Sequence, residues 1–210
     1  MNERFAFDLE RGGGLVAGAD EAGRGCLAGP LVAAAVCFDY AALTDADFDA
    51  LERLNDSKQL TREARETLYD VVIGHARQVA VVACSAASID ERGLHRCNLR
   101  ALGAALECLA PRPDRAFVDG FAVPDCTVPH EALIGGDTRS AAVAAASVIA
   151  KVTRDRVMLR LDAQYPAYGF ARHVGYATAQ HQEMITLHGV CHLHRRSFDA
   201  VSYRQLGLGV

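Results

Sequence analysis

Two adjacent carboxylates, Asp20 and Glu21, follow the apolar run at residues 15–17 and directly precede a glycine-flanked arginine, Gly23-Arg24-Gly25. Because side chains alternate between the two faces of a strand, neighbouring carboxylates converge only where the strand ends and the chain bends. The glycines permit such a bend and let backbone N–H groups approach a ligand closely. This stretch therefore predicts a strand end with a metal-binding acid pair beside a surface for a phosphate or a sugar.

The distribution of charge limits where a polyanionic partner can bind. Half of the 210 residues are hydrophobic, which is enough for the core of one domain, and the formal net charge of −4 gives no global attraction for nucleic acid. Residues 138–210 nevertheless carry nine Lys and Arg against four acidic residues, whereas residues 1–137 have a net charge of −9. Nucleic-acid binding would therefore depend on this local concentration of base.

The seven cysteines are odd in number and form no CxxC pair, which argues against a disulfide framework and against a zinc ribbon. This cysteine content predicts that the protein resides in a reducing compartment. The N-terminus has no basic region followed by an apolar core, and no uninterrupted apolar run reaches about 18 residues. The sequence predicts a cytoplasmic protein that does not enter a membrane.

Hydrophobic periodicity predicts an α/β fold with a small helical C-terminal appendix. We expect a flexible lead-in over residues 1–13, a core over 14–165 and the appendix over 166–210, all in one domain. Predicted strands cover residues 15–20, 31–38, 78–85, 115–119 and 132–134, and predicted helices cover 61–76, 88–109, 140–164 and 178–188. A His- and Arg-rich loop at residues 191–198 is expected on a nucleic-acid-binding face.

Two further carboxylates occupy positions like that of the first pair. Asp119 ends a short predicted strand directly before Gly120, and Asp137 follows two glycines. Four carboxylates in one cleft would repel each other unless cations neutralise them, and Mg²⁺ ions bound by oxygen ligands assist phosphodiester hydrolysis. An Asp before a Gly is also a common turn residue, so the sequence leaves open whether the four meet in space.

A set of motifs in fixed order carries a family resemblance over most of the chain. The blocks are Asp20-Glu-Ala-Gly-Arg-Gly25, Asn55-Asp-Ser-Lys58, Val118-Asp-Gly120, Gly136-Asp137, Ala145-Ala-Ser-Val-Ile-Ala-Lys-Val-Thr-Arg-Asp155, Tyr168-Gly-Phe170, His173-Val-Gly-Tyr176 and His194-Arg-Arg-Ser-Phe198. In these blocks the chain resembles bacterial ribonuclease HII. Gly23-Arg24-Gly25 separates it from the type 3 ribonucleases H, which carry Gly-Thr-Gly at that place.

The resemblance implies a ribonuclease-H-like mixed sheet flanked by helices and an endonuclease that uses Mg²⁺ or Mn²⁺, with two ions in the substrate complex. Its substrates would be RNA–DNA hybrids and duplex DNA with a single embedded ribonucleotide, cut on the 5′ side of the ribonucleotide to leave 3′-hydroxyl and 5′-phosphate ends. Such an enzyme serves ribonucleotide excision repair and DNA replication, and we expect it to act as a monomer.

Residue roles follow from the same resemblance. Asp20, Glu21, Asp119 and Asp137 become the catalytic carboxylates that bind the metal ions. Gly23, Arg24 and Gly25 become the group that senses the ribose 2′-hydroxyl and contacts phosphate, and Tyr176 packs at the junction between ribose and deoxyribose. Ser57, Lys58, Lys151 and Arg154 are expected to contact the substrate, the three cations by binding phosphate. Gly136 and Val174 stand where the family often has lysine.

Other functions remain open from the sequence. Gly23-x-Gly25-x-x-Ala28 also fits a dinucleotide fingerprint, which would require that the glycines open a helix. A non-catalytic module that binds RNA–DNA hybrids would use the same basic residues without needing four acids. Cys191-His-Leu-His194 lacks a second ligand pair for zinc. Gln205-Leu-Gly-Leu208 resembles short sliding-clamp motifs, although an apolar helix end gives the same pattern.

Overall fold

The computed structural model describes residues 2–12, 14–56 and 60–207. The strands are β1 (Leu15–Ala22), β2 (Leu31–Asp39), β3 (Gln78–Cys84), β4 (Arg115–Asp119) and β5 (Glu131–Leu133). The helices are α1 (Glu3–Gly12), α2 (Asp45–Ala50), α3 (Arg62–His75), α4 (Ala86–Arg92), α5 (Leu94–Glu107), α6 (Ala141–Gln164), α7 (Phe170–His173), α8 (Ala179–His188) and α9 (Val201–Gln205). Short 3-10 turns lie at Glu52–Asp56, Gly136–Thr138 and Pro166–Tyr168. Within the described ranges, no helix is both long and apolar enough to cross a bilayer.

The five strands form one mixed sheet in the order β3-β2-β1-β4-β5. The strands β1, β2 and β3 pair antiparallel, whereas β4 and β5 run parallel to β1. The carboxyl ends of β1, β4 and β5 consequently meet at one edge of the sheet, where open α/β sheets commonly bind their ligands. The α/β class and the mixed sheet flanked by helices are confirmed.

Helices cover both faces of the sheet, and α6 packs against β1 most closely. Gly18 on β1 makes this approach possible, because a Cβ atom there would lie 2.1 Å from the backbone nitrogen of Val143. The face that α6 covers also receives α1 and α3, while α5 covers the opposite face. Alternate residues of β1 therefore point toward α6 and toward α5, and this alternation also governs the acids at the end of the strand.

The N-terminal segment differs from the expected flexible lead-in, because residues 3–12 form α1. Phe5 is fully buried and makes edge contacts with Phe38, Tyr40 and Phe48. The triple glycine begins only where α1 ends, so it marks the helix end and carries no information about the residues before it. The burial of Phe5 makes the segment part of the core.

A buried carboxylate on α1 also supports the start of α6. Asp8 accepts hydrogen bonds from the Tyr40 hydroxyl at 2.6 Å and from the Ala142 backbone nitrogen at 3.0 Å. Burial raises the pKa of Asp8, and these hydrogen bonds oppose that rise. A carboxylate at a helix N-terminus is stabilised by the free N–H groups there. The first residues of the chain thus help to fix α6, the helix that packs against β1.

The predicted helix boundaries are confirmed where a capping residue marks them. The Ser140 hydroxyl accepts from the Val143 nitrogen at the start of α6, and Thr178 caps α8 in the same way. The helix predicted from residue 88 is wrong in its start. Ser85 caps the separate helix α4, and Gly93, with φ of 82°, divides α4 from α5.

Three buried histidines join the C-terminal appendix into one unit. His173 and His181 stack with ring centroids 4.3 Å apart, and His194 lies against His181. His173 Nε2 lies 3.0 Å from the Tyr168 carbonyl oxygen, and its Nδ1 accepts from the Gly175 backbone nitrogen at 3.2 Å. These two partners assign a neutral ring with its proton on Nε2.

The other two rings are neutral for the same reason. His181 Nδ1 lies 2.8 Å from the Tyr176 carbonyl oxygen, to which it donates, and its Nε2 lies 3.3 Å from His194 Nε2. His194 Nδ1 accepts from the Cys191 backbone nitrogen at 3.0 Å, so its Nε2 carries the proton that His181 accepts. A second proton on His181 would place two N–H groups against each other. Of the loop at residues 191–198, His194 is buried in this network, whereas His192 and Arg196 are exposed, so the nucleic-acid-facing role of the loop stays a prediction for its exposed residues only.

We predict that acid weakens the folded state through these histidines. Burial lowers the pKa of His181 and of His194 from 6.5 to about 4. As the pH falls, the unfolded chain takes up these protons before the folded chain does. The stability that the two neutral histidines contribute is therefore complete above pH 6.5 and is lost between pH 6.5 and about 4. Each histidine contributes at most roughly 3 kcal/mol. Urea unfolding at several pH values between 7.5 and 4 measures the loss.

Two variants separate the effect of the histidines on the unfolding free energy from that of the buried acids. The raised pKa values of those acids stabilise the folded state as the pH falls, which is the opposite direction. His181→Gln should lower stability at pH 7.5 and flatten the change in unfolding free energy between pH 6.5 and 4. His188→Gln, at the exposed end of α8, should retain the wild-type slope. Equal slopes for wild type and His181→Gln would contradict the assignment.

Candidate active site

The four predicted carboxylates reach the same edge of the sheet. Asp20 and Glu21 lie near the end of β1, and Asp119 is the last residue of β4. The parallel pairing sets Ala19 opposite Val118, so that Asp20 and Asp119 follow at adjacent positions. Asp137 lies in the 3-10 turn that follows β5. Because β1, β4 and β5 run in the same direction, the fold itself assembles this acidic edge.

The acid pair on β1 does not converge in the way that the sequence suggested. The strand continues to Ala22, two residues beyond the expected end, so Asp20 and Glu21 leave opposite faces of the sheet. Asp20 lies on the α6 face and receives a hydrogen bond from Ser147. Glu21 lies on the α5 face and receives one from Asn98. The two carboxylates therefore approach the edge from different sides.

Burial and mutual repulsion make the charged form of these acids costly. Burial raises the pKa of Asp20 well above its usual range, and the charges of Glu21 and Asp119 raise it further. Burial also raises the pKa of Glu21, against the hydrogen bond and the charge of Arg24. The Arg24 guanidinium lies 3.2 Å from the Glu21 carboxylate. Nearby positive charge would favour ionisation of the whole cluster.

The donor atoms at this edge fit a hard divalent cation, because all of the acidic ligands supply oxygen. Glu21 Oε2 is buried and has no hydrogen-bond partner among the described residues, which leaves it available as a ligand. As the side chains stand, no three His, Cys, Asp or Glu residues within the described ranges are grouped closely enough to hold a metal ion. Glu21 is turned toward Arg24, and Asp119 accepts from the Gly136 backbone nitrogen at 2.6 Å.

The glycine-rich loop after β1 is fixed by two buried arginines. Arg154 donates to the carbonyl oxygens of Pro30, Val174 and Ala28 at 2.9, 2.9 and 3.0 Å. Its predicted contact with substrate phosphate is wrong for this geometry, because the side chain has no exposed surface and all three of its nitrogens are engaged. Arg154 instead joins the loop to the segment that precedes Tyr176.

Arg195 performs the same function from the appendix, and sequence reasoning missed it. Its guanidinium donates to the carbonyl oxygen of Gly29 through two nitrogens and to that of Arg24 at 3.0 Å. Arg195 is fully buried, although residues 191–198 were expected to form a nucleic-acid-binding loop. Carbonyl groups from a distant loop pair with this charge, and no local sequence signal reports such partners.

Backbone geometry explains the glycines of this loop. Gly23 has φ of 95°, and a Cβ atom there would lie 2.1 Å from Arg154 Nε. Gly25 is exposed, with open space where a side chain would be. The Arg24 side chain between them is 41% exposed. The loop therefore exposes the backbone of Gly25 next to the acidic edge, whereas Gly23, which was also predicted to approach the ligand, is buried.

Tyr176 lies directly beside this loop. Cys26 pairs with Tyr176 in an isolated antiparallel bridge, and Gly175 allows the close approach because a Cβ atom there would lie 2.3 Å from the Ala28 carbonyl oxygen. The Tyr176 ring is 40% exposed, and Lys151 Nζ lies 5.1 Å from its centroid. Lys151 also pairs with Asp155 at 2.9 Å.

Several of the site residues surround one open cleft of about 320 Å³. Its walls are formed by Glu21, Ala22, Gly23, Arg65, Ser147, Val148, Lys151 and Tyr176. Of the predicted substrate contacts, Ser57 and Lys58 lie outside the described residues. Asn98, Ser147 and Arg65 were not singled out from the sequence. Asn98 carried a signal, since it is a polar residue within the apolar stripe of α5, where it is 1% exposed.

The dinucleotide-binding alternative is wrong. The glycine loop leads through Pro30 into β2, which pairs antiparallel with β1. A dinucleotide fingerprint requires a helix at that point, so that the N-terminus of the helix faces the pyrophosphate. No such helix follows β1 in the described chain.

Comparisons with known proteins identify the family and support the fold. The family model for ribonuclease HII matches residues 17–201. A ribonuclease HII from Geobacillus kaustophilus is 50% identical over 199 residues, which cover 95% of this chain and 72% of the relative. The crystal structure of ribonuclease H2 from Pyrococcus horikoshii aligns with a TM-score of 0.76 at 28% identity, over 92% of this chain and 98% of the other.

A second solved structure aligns over a similar share of the chain. Ribonuclease HII from Archaeoglobus fulgidus, solved as a complex with PCNA, aligns with a TM-score of 0.74 at 27% identity, over 89% of this chain and 96% of the other. The family match extends from β1 to the start of α9 and includes all four carboxylates. The chain therefore belongs to the ribonuclease HII family, and it is a ribonuclease H, an endonuclease that degrades the RNA of RNA–DNA hybrids.

Proposed function

We propose that this enzyme cuts on the 5′ side of single ribonucleotides embedded in duplex DNA, as well as within RNA–DNA hybrids, and leaves 3′-hydroxyl and 5′-phosphate ends. The proposal rests on one observation: the glycine loop and Tyr176 are held together beside the acidic edge. The bridge from Cys26 to Tyr176 and the three hydrogen bonds of Arg154 hold the two elements together. Glu21, Gly23 and Tyr176 line the same cleft, which supports recognition of a sugar next to the acids for phosphodiester cleavage.

The glycine loop supports recognition of one ribose. A 2′-hydroxyl both donates and accepts hydrogen bonds, so backbone groups that approach it closely distinguish RNA from DNA at a single nucleotide. The open space at Gly25 permits that approach, and the exposed part of Arg24 is available to a phosphate. Tyr176 presents an exposed ring to the neighbouring deoxyribose, where an additional hydroxyl would interfere with packing.

The acids supply the catalytic part of the proposal. Asp20, Glu21, Asp119 and Asp137 would hold Mg²⁺ or Mn²⁺, and two such ions, when bound, supply stabilisation of the phosphoryl charge and activation of water. The protein orients these acids through identified partners. Ser147 holds Asp20, Asn98 and Arg24 hold Glu21, and the Gly136 nitrogen holds Asp119. We also propose that the enzyme acts as a monomer.

The cellular setting forms a further part of the proposal. We place the enzyme in the cytoplasm, in ribonucleotide excision repair and DNA replication. Sliding-clamp contact through residues 205–208 is supported by the exposed side chain of Leu206 and by the Archaeoglobus relative that was solved with PCNA. Leu208 lies outside the described residues.

One digestion tests the proposed reaction. A duplex with one embedded ribonucleotide, labelled at the 5′ end of the strand that carries it, should be cut on the 5′ side of the ribonucleotide in Mg²⁺ and remain intact in EDTA. Binding to the same duplex should persist in EDTA, because phosphate contacts do not need the catalytic ion. Cleavage that continues in EDTA would refute the metal dependence, and binding without cleavage in Mg²⁺ or Mn²⁺ would support the non-catalytic alternative.

Asp119→Asn tests the acidic edge. The amide keeps the shape of the side chain and removes its charge, so turnover in Mg²⁺ should fall by more than about 100-fold, while duplex binding remains measurable. Asp125→Asn removes the same charge from an exposed position in the loop after β4 and should retain activity. If Asp119→Asn retained near-wild-type turnover, the four-carboxylate assignment would be wrong.

Tyr176→Ala tests the junction role. Loss of the ring should reduce cleavage at a single ribonucleotide at least about 5-fold more than cleavage of a continuous hybrid, because stacking and packing of an aromatic ring contribute about 1–3 kcal/mol. Tyr176→Phe keeps the ring and should preserve the ratio of the two activities. An equal loss on both substrates for Tyr176→Ala would remove the junction role.

A further inference from the structure

Arg65 is a positively charged residue in the wall of the cleft. Neither the proposed metal binding nor the proposed ribose recognition uses it. It belongs to the first turn of α3 and precedes the buried residues Leu68 and Val72 by three and seven positions. Residues at this spacing share one face of a helix. Arg65 therefore continues the inward-facing stripe of α3 toward the N-terminal end of the helix. At that end the stripe leaves the core, and Arg65 forms part of the cleft wall with Ser147 and Lys151.

The other cations at the site already have partners. Lys151 pairs with Asp155 at 2.9 Å, and Arg24 pairs with Glu21 at 3.2 Å. The buried arginines described above donate to carbonyl groups. Arg65, in contrast, donates from Nη2 to the Leu60 carbonyl oxygen at 2.9 Å, and it forms no ion pair with any carboxylate whose side chain the structure describes. The remaining N–H donors of this guanidinium are available to an anion.

The position of Arg65 is also fixed in advance of binding. Arg156 on α6 donates through Nε to Glu66 at 2.8 Å and lies 4.3 Å from the centroid of the Tyr69 ring, which fastens α3 to α6. The bond to Leu60 holds one nitrogen of the Arg65 guanidinium. An arginine that is anchored in this way loses little conformational entropy when it binds a phosphate through two parallel N–H groups.

We propose that Arg65 is a positioning residue that binds a backbone phosphate of the duplex on the α3 side of the cleft. This inference rests on the proposed function, since it takes a nucleic-acid duplex as the ligand. The contact is made to a phosphodiester oxygen and reads no base. It supplies a positive charge next to a cleft whose acids repel the polyanion, and thereby strengthens binding of the substrate strand beside the acidic edge.

Arg65→Gln tests the proposal, because glutamine keeps a donor for the Leu60 carbonyl and removes the charge. Binding of a fluorescein-labelled RNA–DNA hybrid is measured by anisotropy in Ca²⁺ between about 50 and 200 mM KCl. The variant should bind about 10-fold more weakly at the low-salt end, and the slope of log Kd against log salt should fall by about 1. In Mg²⁺ the KM should rise by a similar factor, with kcat at saturating hybrid within about 2-fold of wild type.

Two matched variants separate a phosphate contact from a general charge effect or a folding defect. Arg62→Gln removes the same charge from an exposed position three residues earlier on α3, outside the cleft, and should retain the wild-type slope. Arg65→Lys keeps the charge and should restore the slope, with an affinity between those of wild type and Arg65→Gln.

The outcomes also separate this inference from the proposed function. Wild-type slope and Kd for Arg65→Gln would overturn the role of Arg65 while leaving hybrid cleavage intact. A loss of equal size for Arg62→Gln, or a slope for Arg65→Lys that stays as low as that of Arg65→Gln, would overturn it too. A wild-type protein that binds no hybrid would overturn both the inference and the proposed function.

Discussion

The parallel pairing of β4 with β1 is the constraint on which the active site depends. It sets Val118 opposite Ala19, so the chain delivers Asp20 and Asp119 to the same edge of the sheet. The turn after β5 adds Asp137, and the Gly136 nitrogen ties that turn to Asp119. The same pairing concentrates negative charge in a buried place, where burial and repulsion raise the pKa of Asp20. Divalent cations bound at this edge would relieve the repulsion, which is how the fold would favour the proposed metal-assisted chemistry.

The position of the glycine loop depends on two arginine side chains that are fully buried. Arg154 and Arg195 approach the glycine loop from α6 and from the appendix. Together they donate to the carbonyl groups of residues 24, 28, 29, 30 and 174. Burying a guanidinium costs several kcal/mol unless its donors are all paired, and here the carbonyl groups pair them. The neutral histidine network then holds the Tyr176 carbonyl. The recognition surface is therefore rigid because buried polar groups from three parts of the chain converge on it.

Local signals in the sequence predicted much of this architecture. Capping by Ser140 and Thr178 and the apolar periodicity of α6 placed two helices nearly to the residue, and Asp119 before Gly120 correctly marked the end of β4. Where local signals were overridden, the predictions failed. Nothing near Gly12 indicates that Phe5 fills a gap between Phe38 and Tyr40, and hydrogen bonding to β2 extends β1 past Glu21.

The residues of the proposed site show the same difference between local sequence signals and long-range contacts. Acids at strand ends were recognised because strand, glycine and carboxylate are neighbours in sequence. Arg154 and Arg195 were taken for surface cations, since their carbonyl partners lie 20 to 171 residues away. Asn98 and Arg65 reach the site only because α5 and α3 pack beside the edge. The division of the chain at residue 165 stays a prediction.

The most direct test of the account is an anomalous difference map from crystals of the enzyme bound to an RNA–DNA hybrid in Mn²⁺. The account predicts manganese at the carboxyl edge of β1, β4 and β5, in contact with Asp20 and Asp119, with Glu21 turned from Arg24 toward the metal. Manganese found away from this edge, or no manganese there in crystals of protein that cleaves the hybrid in the same buffer, would contradict it.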